Sequence, residues 1–293
     1  YPGEAVTLYA RLPEGYFTGE RMAPVWVFWA FAGAGALLAA YTLLRALSAA
    51  SVGGIVFCAM PLCPAQAELA NRETPVVVIG DRDASLNLDT VELNNHNAGV
   101  LVARYLIGLG HRSVACIATP LNRDNPARLR RLAGLDRTDN PLLRDVFRES
   151  CPEGRFLVRT CTITPEQERG DLNIEHRTGY TLARRCLAER DITAFVAVND
   201  MVAYGVLDAI LESGARVPED YSLCGFDNIY PSHFARVGLT TVEHHIAEKG
   251  RSALEMLHNR ITSGPGCSIT RVEVMPELVV RGSTGPAPVQ RQA

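Results

Sequence analysis

Two polar side chains follow two apolar segments that have the length and composition of buried strands. Asn199 comes directly after residues 194–198, and Asp227 lies two residues after the segment 221–225. A carboxylate accepts hydrogen bonds from neighbouring hydroxyls or from an amine, and an amide both donates and accepts. These residue types therefore suit the recognition of a small polar molecule. Each has a structural alternative, since Asn199 could cap the helix that follows it and Asp227 could cap a turn.

The segment between these two residues predicts how they are brought together. Apolar residues at helical spacing predict a helix over residues 200–212, capped by Asp200 and ended by Gly214. A strand, a helix and a second strand in this order form a parallel crossover, which places both strand ends on one edge of a sheet. Open α/β sheets bind ligands at that carboxyl edge. We therefore predict that Asn199 and Asp227 lie side by side and face a ligand.

The same alternation of strands and helices continues through much of the chain. Apolar segments such as residues 75–79 have the composition of strands that are covered on both faces. Repeated strand–helix units are typical of doubly wound parallel sheets. A chain of 293 residues is expected to form about two domains, and its strand candidates are too many for one small sheet. The sequence therefore predicts an α/β protein with two doubly wound parallel-sheet lobes.

Composition and charge narrow the classes of partner. Lysine and arginine number 29 against 32 acidic residues, and a net charge of −3 does not favour nucleic acid or an anionic membrane. Eight cysteines occur without a C-x-x-C pair, and Cys58, Cys116 and Cys224 lie in apolar segments that are typical of buried strands. The even number permits disulfides, but this placement favours reduced thiols in a cytoplasmic protein. The chain starts at Tyr1 without the basic region of a signal peptide.

One uncharged segment is long enough to cross a bilayer. Residues 22–44 carry no charge, and Trp26 and Trp29 near one end resemble an interfacial belt. A helix that is buried beside a sheet is also apolar over much of its surface. We favour the buried helix, because the rest of the chain has an ordinary α/β pattern, and we do not expect a membrane partner.

Sequence signatures of catalysis are missing. The segment at residues 33–38, GAGALL, lacks the third glycine of a dinucleotide site. The chain contains no G-x-x-x-x-G-K, G-x-S-x-G or H-E-x-x-H pattern. Glu243, His244, His245 and Glu248 are close enough in sequence to suggest a metal, but we expect none there. The sequence therefore predicts a protein that is not an enzyme and that needs neither cofactor nor metal.

Longer segments carry a more specific pattern. They are NDMVAYGVLDAILESGARVPEDYSLCGFDN at 199–228, LTTVEHHIAEKGRSALEML at 239–257, PELVVRGST at 276–284, VELNNHNAGVLVARYLIGLGHRSVACI at 91–117 and RLRRLAGL at 128–135. In this order they resemble the effector-binding core of the lactose-repressor/galactose-repressor family of bacterial transcription regulators, which is related to periplasmic sugar-binding proteins. The resemblance is dense from about residue 91 to residue 284 and weak before Gly53.

The resemblance implies an organisation and a function. Two lobes would be joined by three crossing strands, with a ligand cleft between them. The first lobe would be residues 1–93 plus 245–275, and the second would be residues 94–243 plus 276–293. The chain would sense a small-molecule effector, a sugar or sugar derivative, as a homodimer, and it would reach operator DNA only through an N-terminal helix-turn-helix domain that is absent here. The alternative is the solute-binding protein of a sugar transporter, which shares the fold.

The resemblance also implies ligand contacts in the second lobe. Asp227 and Asn199 match family positions that contact the effector, and Arg131 matches the arginine of an R-x-x-G pattern, here RLAG. A guanidinium presents a rigid fork of donors to a polyol, carboxylate or phosphate. Asn94 stands where the family usually has Asp at the first crossing, and His244 stands where it often has Gln. His244 could contact the ligand, respond to pH near neutrality or pack the hinge.

Four further positions are implied as walls or polar groups of the cleft. Tyr16 and Phe17 follow the first predicted strand and would offer an apolar face for stacking on a sugar or base. Ile174 replaces a residue that is often aromatic in the family, so stacking on that side would be weaker. Asp81 would supply an acid from the first lobe.

Overall fold

The computed structural model describes residues 26–29, 53–58, 71, 74–80, 87–118, 153–160, 173–189, 191–234, 238–263 and 268–288. These residues belong to two compact units, and the chain passes between them after Leu93, after His244 and after Val274. The strands, in chain order, are β1 Trp26–Trp29, β2 Ile55–Cys58, β3 Val76–Ile79, β4 Asp89–Leu93, β5 Ser113–Ala118, β6 Arg155–Thr160, β7 Ala194–Ala197, β8 Ser222–Asp227, β9 Thr240–Glu243, β10 Arg271–Val274 and β11 Glu277–Val279. The helices are α1 Asn95–Gly108, α2 Ile174–Cys186, α3 Asp200–Glu212, α4 Pro231–Phe234 and α5 Ile246–Ser263.

Unit 1 contains a five-stranded parallel sheet in the order β1-β2-β3-β4-β10. Helix α5 covers it with Ala253 and, one helical turn later, Met256 and Leu257, which are buried against β2 and β3. Arg260, one turn further on, donates two hydrogen bonds to the buried carboxylate of Asp89, at 2.6 and 2.7 Å. A bidentate pair of this kind ties the end of α5 to the start of β4.

The structure corrects the prediction for the uncharged segment 22–44. Its described part, β1, is extended and pairs in parallel with β2, with Trp26 opposite Ile55. Trp, Val and Phe are residues that favour a pleated surface, and tertiary pairing completes the strand. A continuous helix over this segment is therefore wrong. Within the described ranges, no helix has the length and apolar character needed to cross a membrane.

Unit 2 contains a six-stranded sheet in the order β11-β9-β8-β7-β5-β6. All neighbours are parallel except β11, which runs antiparallel to β9 at the edge. One face is covered by α2 and α3 and the other by α1, so the strands are apolar on both faces. The prediction of an α/β fold with doubly wound parallel sheets is confirmed, with one antiparallel edge strand that the sequence did not reveal.

Two glycines allow α2 and α3 to touch backbone to backbone. A Cβ atom on Gly179 would lie 2.1 Å from the carbonyl oxygen of Val202, and one on Gly205 would lie 1.9 Å from that of His176. Neither distance is possible for a real side chain, so both positions require glycine. This close crossing holds the beginning of α3 at the end of β7.

The amino ends of the central strands surround a buried histidine. The Nε2 atom of His111 lies 3.1 Å from the carbonyl oxygen of Gly285 and 2.9 Å from Ser222 Oγ, and Nδ1 lies 2.9 Å from Thr193 Oγ1. Thr193 Oγ1 also donates to the carbonyl oxygen of Ser113 at 3.2 Å, and Ser222 Oγ donates to that of Gly285 at 3.1 Å, so the three side chains form one hydrogen-bond network. Burial lowers the pKa of His111, so the imidazole is neutral. The cluster ties the chain's C-terminal segment to β7 and β8.

Candidate functional site

Three polar residues stand at the carboxyl edge of the unit 2 sheet. Asn199 follows β7, Asp227 is the last residue of β8, and His244 follows β9 directly. The parallel register places Asp227 opposite Glu243. Asn199 and Asp227 therefore lie on one edge of the sheet, on neighbouring strands, and His244 extends the row by one strand.

The centre of this edge is a contact between Asp227 and His244. His244 Nδ1 lies 3.2 Å from Asp227 Oδ1, and the side chains are 5% and 25% exposed respectively. The imidazole is thus enclosed, while part of the carboxylate remains accessible. The contact with a buried imidazole therefore restricts the orientation of the Asp227 carboxylate.

Asn228, the residue after Asp227, is held by hydrogen bonds to two charged side chains. Asn228 donates from Nδ2 to Glu243 Oε2 at 2.6 Å, and Arg281 donates from Nη2 to Asn228 Oδ1 at 2.7 Å. Arg281 also donates to the carbonyl oxygen of Leu239 at 2.7 Å. The C-terminal segment therefore fixes the turn that follows β8, and with it the backbone that carries Asp227.

Backbone strain is concentrated at the same edge. Asp227, Asn228 and His245 have φ values of 107°, 51° and 48°, and they are the non-glycine residues with positive φ in the described part of the chain. Each such residue costs on the order of 1–3 kcal/mol, and it persists only where the surroundings hold it. Two of the three flank the Asp227–His244 contact in sequence, which is the pattern expected of a binding site.

The structure corrects which residue caps α3. Asn199 Oδ1 accepts a hydrogen bond from the backbone N–H of Val202 at 2.8 Å, so Asn199 is the cap and the prediction that Asp200 caps the helix is wrong. The cap uses one oxygen of Asn199. Within the described residues its Nδ2 group makes no other hydrogen bond, and it remains available as a donor at the edge.

Asp200 instead turns inward and joins three elements. Its carboxylate accepts from Thr241 Oγ1 at 2.6 Å, from Ser232 Oγ at 2.6 Å and from the N–H of Ile229 at 3.0 Å. It is fully buried, and burial raises the pKa of Asp200 despite these donors. A Cβ atom on Gly225 would lie 2.3 Å from Asp200 Oδ1, so glycine makes the space for it.

Two features of the sequence are consistent with the inward position of Asp200. Only one of the adjacent residues Asn199 and Asp200 can cap α3, so the other must make its hydrogen bonds elsewhere. Gly225, inside an apolar strand, indicated a close approach by another group. The partners themselves come from the loop after β8 and from β9, which only the folded chain brings together.

The remaining predicted site residues are less central or lie outside the described residues. Asn94 Oδ1 accepts from the N–H of Asn97 at 2.9 Å and caps α1, where the chain enters unit 2. Ile174 is the first residue of α2 and is half-buried. Four predicted residues fall outside the described ranges, namely Tyr16, Phe17, Asp81 and Arg131. Among the described side chains, no group of His, Cys, Asp and Glu could hold a metal ion.

The described cysteines are thiols in the interior. Cys58, Cys116, Cys186 and Cys224 are free and buried, and burial raises the pKa of Cys116 to about 12. These four side chains support packing and offer no reactive thiolate, in accord with the prediction of reduced core cysteines.

Comparison with known proteins identifies the family. The model of the periplasmic binding protein-like domain matches residues 103–284, which include β7, β8 and β9 with the polar edge. The chain belongs to this family.

Named relatives and solved structures agree with that membership. The HTH-type transcriptional repressor PurR of Haemophilus influenzae (strain PittEE) is 28% identical over 218 residues, 73% of this chain and 59% of the repressor. A LacI family transcriptional regulator from Enterococcus faecium with bound ribose is 21% identical, with a TM-score of 0.63 over 84% of each chain. The lac repressor dimer bound to operator and the anti-inducer ONPF is 24% identical, with a TM-score of 0.66 over 85% of this chain and 79% of that one.

These matches confirm the resemblance to the effector-binding core of the lactose-repressor/galactose-repressor family. The solved structures establish the fold, and the match spans about 59% of the length of the repressor. The relative is named as a repressor rather than as an enzyme, in accord with the predicted lack of catalysis.

Proposed function

We propose that this chain is the effector-sensing core of a bacterial transcription regulator. It binds a small polar ligand, a sugar or sugar derivative, at the carboxyl edge of the unit 2 sheet. The observation that carries the proposal is the accessible carboxylate of Asp227, which a buried histidine holds on a strained backbone. Groups held in such strain cluster at binding sites.

The chemistry of the edge suits a ligand with hydroxyl groups. Asp227 offers a carboxylate oxygen as an acceptor, and Asn199 offers an amide donor that the helix cap leaves unused. We propose that Arg131 adds the rigid fork of a guanidinium and that Tyr16 and Phe17 add an apolar wall. Asn94, Ile174 and Asp81 complete the proposed set. Bound ribose in the Enterococcus faecium regulator supports a sugar.

Regulation would follow from differential binding. An effector that prefers one conformation shifts the population toward it, and the shift is passed to a DNA-binding domain outside these residues. Lobes divided at residues 1–93 plus 245–275 and 94–243 plus 276–293 would be the moving parts. We propose a cytoplasmic homodimer, a state supported by the operator-bound lac repressor dimer.

Substitution of Asp227 tests the site. Thermal shift against a library of sugars and nucleosides should find a compound that raises the Tm of the wild-type chain, and Asp227→Ala should abolish that rise. The matched control is Asp208→Ala, which removes an exposed carboxylate on α3 that pairs with His176. An unchanged ligand-induced shift in Asp227→Ala would contradict the assignment.

The second candidate is a solute-binding protein of a sugar transporter, which the family's description also fits. The two functions differ in assembly, because a regulator core dimerises and a transport receptor is expected to act as a monomer. Size-exclusion chromatography with light scattering should give about twice the mass of the chain for the regulator. A monomer at micromolar concentration would favour the transport receptor.

A further inference from the structure

The turn that follows β8 is strained, and other parts of unit 2 hold it in place. Asp227 and Asn228 have φ values of 107° and 51°. Neither residue is glycine, so this backbone persists only where neighbouring groups keep it there. The next two backbone N–H groups after Asp227 are those of Asn228 and Ile229. Both are hydrogen-bonded, and both bonds lead to the same carboxylate.

That carboxylate belongs to Asp200, and it reaches one N–H group directly and the other through a hydroxyl. Ile229 N–H donates to Asp200 Oδ2 at 3.0 Å. Asn228 N–H donates to Thr241 Oγ1 at 3.3 Å, and the Thr241 hydroxyl donates in turn to Asp200 Oδ1 at 2.6 Å. Each oxygen of the carboxylate therefore holds one of two consecutive amides.

The charge of Asp200 fixes the direction of the indirect connection. An ionised carboxylate has no hydrogen to donate, so the Thr241 hydroxyl must be the donor in its contact with Asp200. Its oxygen is then left to accept from the N–H of Asn228. Burial raises the pKa of the Asp200 carboxyl, but its three donors and the positive charge of Arg281 oppose that rise and favour the ionised form.

Asp200 also holds the far end of the same turn. The hydroxyl of Ser232 donates to Asp200 Oδ2 at 2.6 Å, and the N–H of Ser232 donates to the carbonyl oxygen of Ile229 at 2.8 Å. The Ser232 oxygen accepts from the Tyr204 hydroxyl at 3.1 Å, so this hydroxyl is ordered in the same way as that of Thr241. One buried side chain thus holds the turn at both ends.

The position of Asp200 suits a residue that acts on the site from behind. Asp200 is fully buried, and the absence of a side chain at Gly225 leaves room for its carboxylate. Asp227, at the start of the turn, is partly exposed. A buried residue that fixes the backbone behind a binding group keeps that group in its productive position.

We infer that Asp200 is a positioning residue of the proposed effector site and that it acts through the two amides that follow Asp227. The inference rests on the proposed function for its ligand, whereas the hold on the turn needs no ligand. When the turn relaxes, the carboxylate of Asp227 loses its defined position. The folded protein should then bind its effector more weakly, because a site that is ordered in advance loses less freedom on binding.

The first experiment is NMR-detected amide hydrogen exchange in the ligand-free chain. Thr241→Val keeps the shape of the side chain and removes its hydroxyl, so Asn228 N–H should exchange about tenfold faster, as expected for the loss of one hydrogen bond. Thr241→Ser keeps a hydroxyl and should restore exchange to within about threefold of the wild-type rate.

Asp200→Asn tests the direction of the bonds in a variant that keeps its shape. Because Ile229 N–H can only donate, the oxygen of the new amide must stay with it, and the amide nitrogen must face Thr241. That nitrogen cannot accept the Thr241 hydrogen, and it competes with Asn228 N–H for the Thr241 oxygen. Asn228 should therefore exchange faster while Ile229 keeps its protection. Equal acceleration of both amides would contradict the separate roles of the two oxygens.

The matched control is Thr193→Val, which removes the hydroxyl of another buried threonine, before β7. That hydroxyl contacts His111 and the carbonyl oxygen of Ser113. The control should lower the Tm as Thr241→Val does but leave Asn228 exchange within about twofold of the wild-type rate. The same acceleration in both valine variants, or none in either, would overturn the inference.

The second experiment is calorimetric titration of D-ribose, D-xylose, D-glucose and cellobiose into the folded variants. For a sugar that binds the wild-type chain, Thr241→Val should raise the Kd about tenfold, and Thr241→Ser and Thr193→Val should keep it within about threefold. An unchanged Kd in Thr241→Val would overturn the positioning role even if Asn228 exchanges faster. If none of these sugars binds the wild-type chain, the proposed sugar site fails, and Asn228 exchange in Thr241→Val alone supports or overturns the hold of Asp200 on the turn.

Discussion

Strand β8 carries a polar cluster at each end, and the two clusters differ in burial, charge and backbone strain. At its amino end buried Ser222 joins buried His111 and Thr193 and the carbonyl oxygen of Gly285, and no member of this group is ionised. At its carboxyl end Asp227 is a partly exposed carboxylate on a backbone with φ of 107°. Each cluster contains a histidine, so residue type alone does not separate them.

The two histidines differ in the groups that they contact: His111 lies in a buried cluster of the fold, and His244 lies in the proposed effector site. His111 has hydroxyls and a carbonyl as partners, and full burial disfavours its charge. His244 has a carboxylate as a partner, and that carboxylate reaches solvent. A satisfied neutral cluster stabilises and specifies the fold, whereas a strained, charged and accessible one is the arrangement expected where a ligand binds.

The largest loss of stability is expected from a substitution that breaks the cluster at the amino end of β8. His111→Leu removes three contacts of the imidazole, with Thr193, Ser222 and the carbonyl oxygen of Gly285, and at about 1 kcal/mol for each it should lower the free energy of unfolding by about 3 kcal/mol. Urea denaturation would measure it, with His258→Leu, on the exposed face of α5, expected to change it by less than about 1 kcal/mol. Equal losses in the two variants would show that His111 contributes no more than a surface histidine.

The next largest loss of stability is expected at Asp200, whose hydrogen bonds hold the elements near the carboxyl end of β8. Asp200→Ala removes the acceptor of three hydrogen bonds and should cost about 2–3 kcal/mol. Asp200→Asn should cost less than about 1 kcal/mol, because its oxygen can serve Ser232 and Ile229 while its amide donates to the Thr241 hydroxyl. Urea denaturation of both variants would check this, and equal losses would mean that the carboxylate charge matters more than the hydrogen bonds.

Lowering the pH should reduce the free energy of unfolding through His111, in the cluster at the amino end of β8. The pKa of folded His111 is lowered, so the unfolded chain binds this proton first as the pH falls below about 6.5. The stabilisation is complete well above that pH and is lost progressively toward the lower folded pKa, by at most about 1 kcal/mol between pH 7 and pH 5.5. Denaturation of the wild-type chain and His111→Gln at both pH values should show the smaller loss in the variant. Parallel losses would assign the acid sensitivity to other groups.

The smallest change in stability is expected from substitutions of His245, which test backbone strain at the carboxyl edge of the unit 2 sheet. His245 has φ of 48°, so His245→Gly should raise the free energy of unfolding by about 0.5 kcal/mol after the larger entropy of the unfolded glycine chain is subtracted. His245→Val should lower it by about 1–2 kcal/mol, because a β-branched residue fits this conformation poorly. Thermal unfolding distinguishes the two signs. A stabilised valine variant would remove the evidence for strain at this residue.

Several features were predictable because they depend on short segments. The strands at 194–198 and 221–225, the helix between them and the shared edge of Asn199 and Asp227 follow from apolar spacing and the direction of a parallel crossover. The cap of α3 was not predictable, since Asn and Asp are equally good caps and stand next to each other. Strand β1 was missed because an uncharged segment suits a buried helix and a buried strand alike.

The sequence by itself determined the α/β fold and which residues reach the carboxyl edge of the unit 2 sheet, because side-chain periodicity and crossover direction are local properties of the chain. The tertiary structure alone decided what each polar residue does there. Asn199 caps a helix, Asp200 turns inward beside Gly225, and His244 holds Asp227. These roles depend on partners that are distant in sequence, and burial then sets the cost of leaving any of them unpaired.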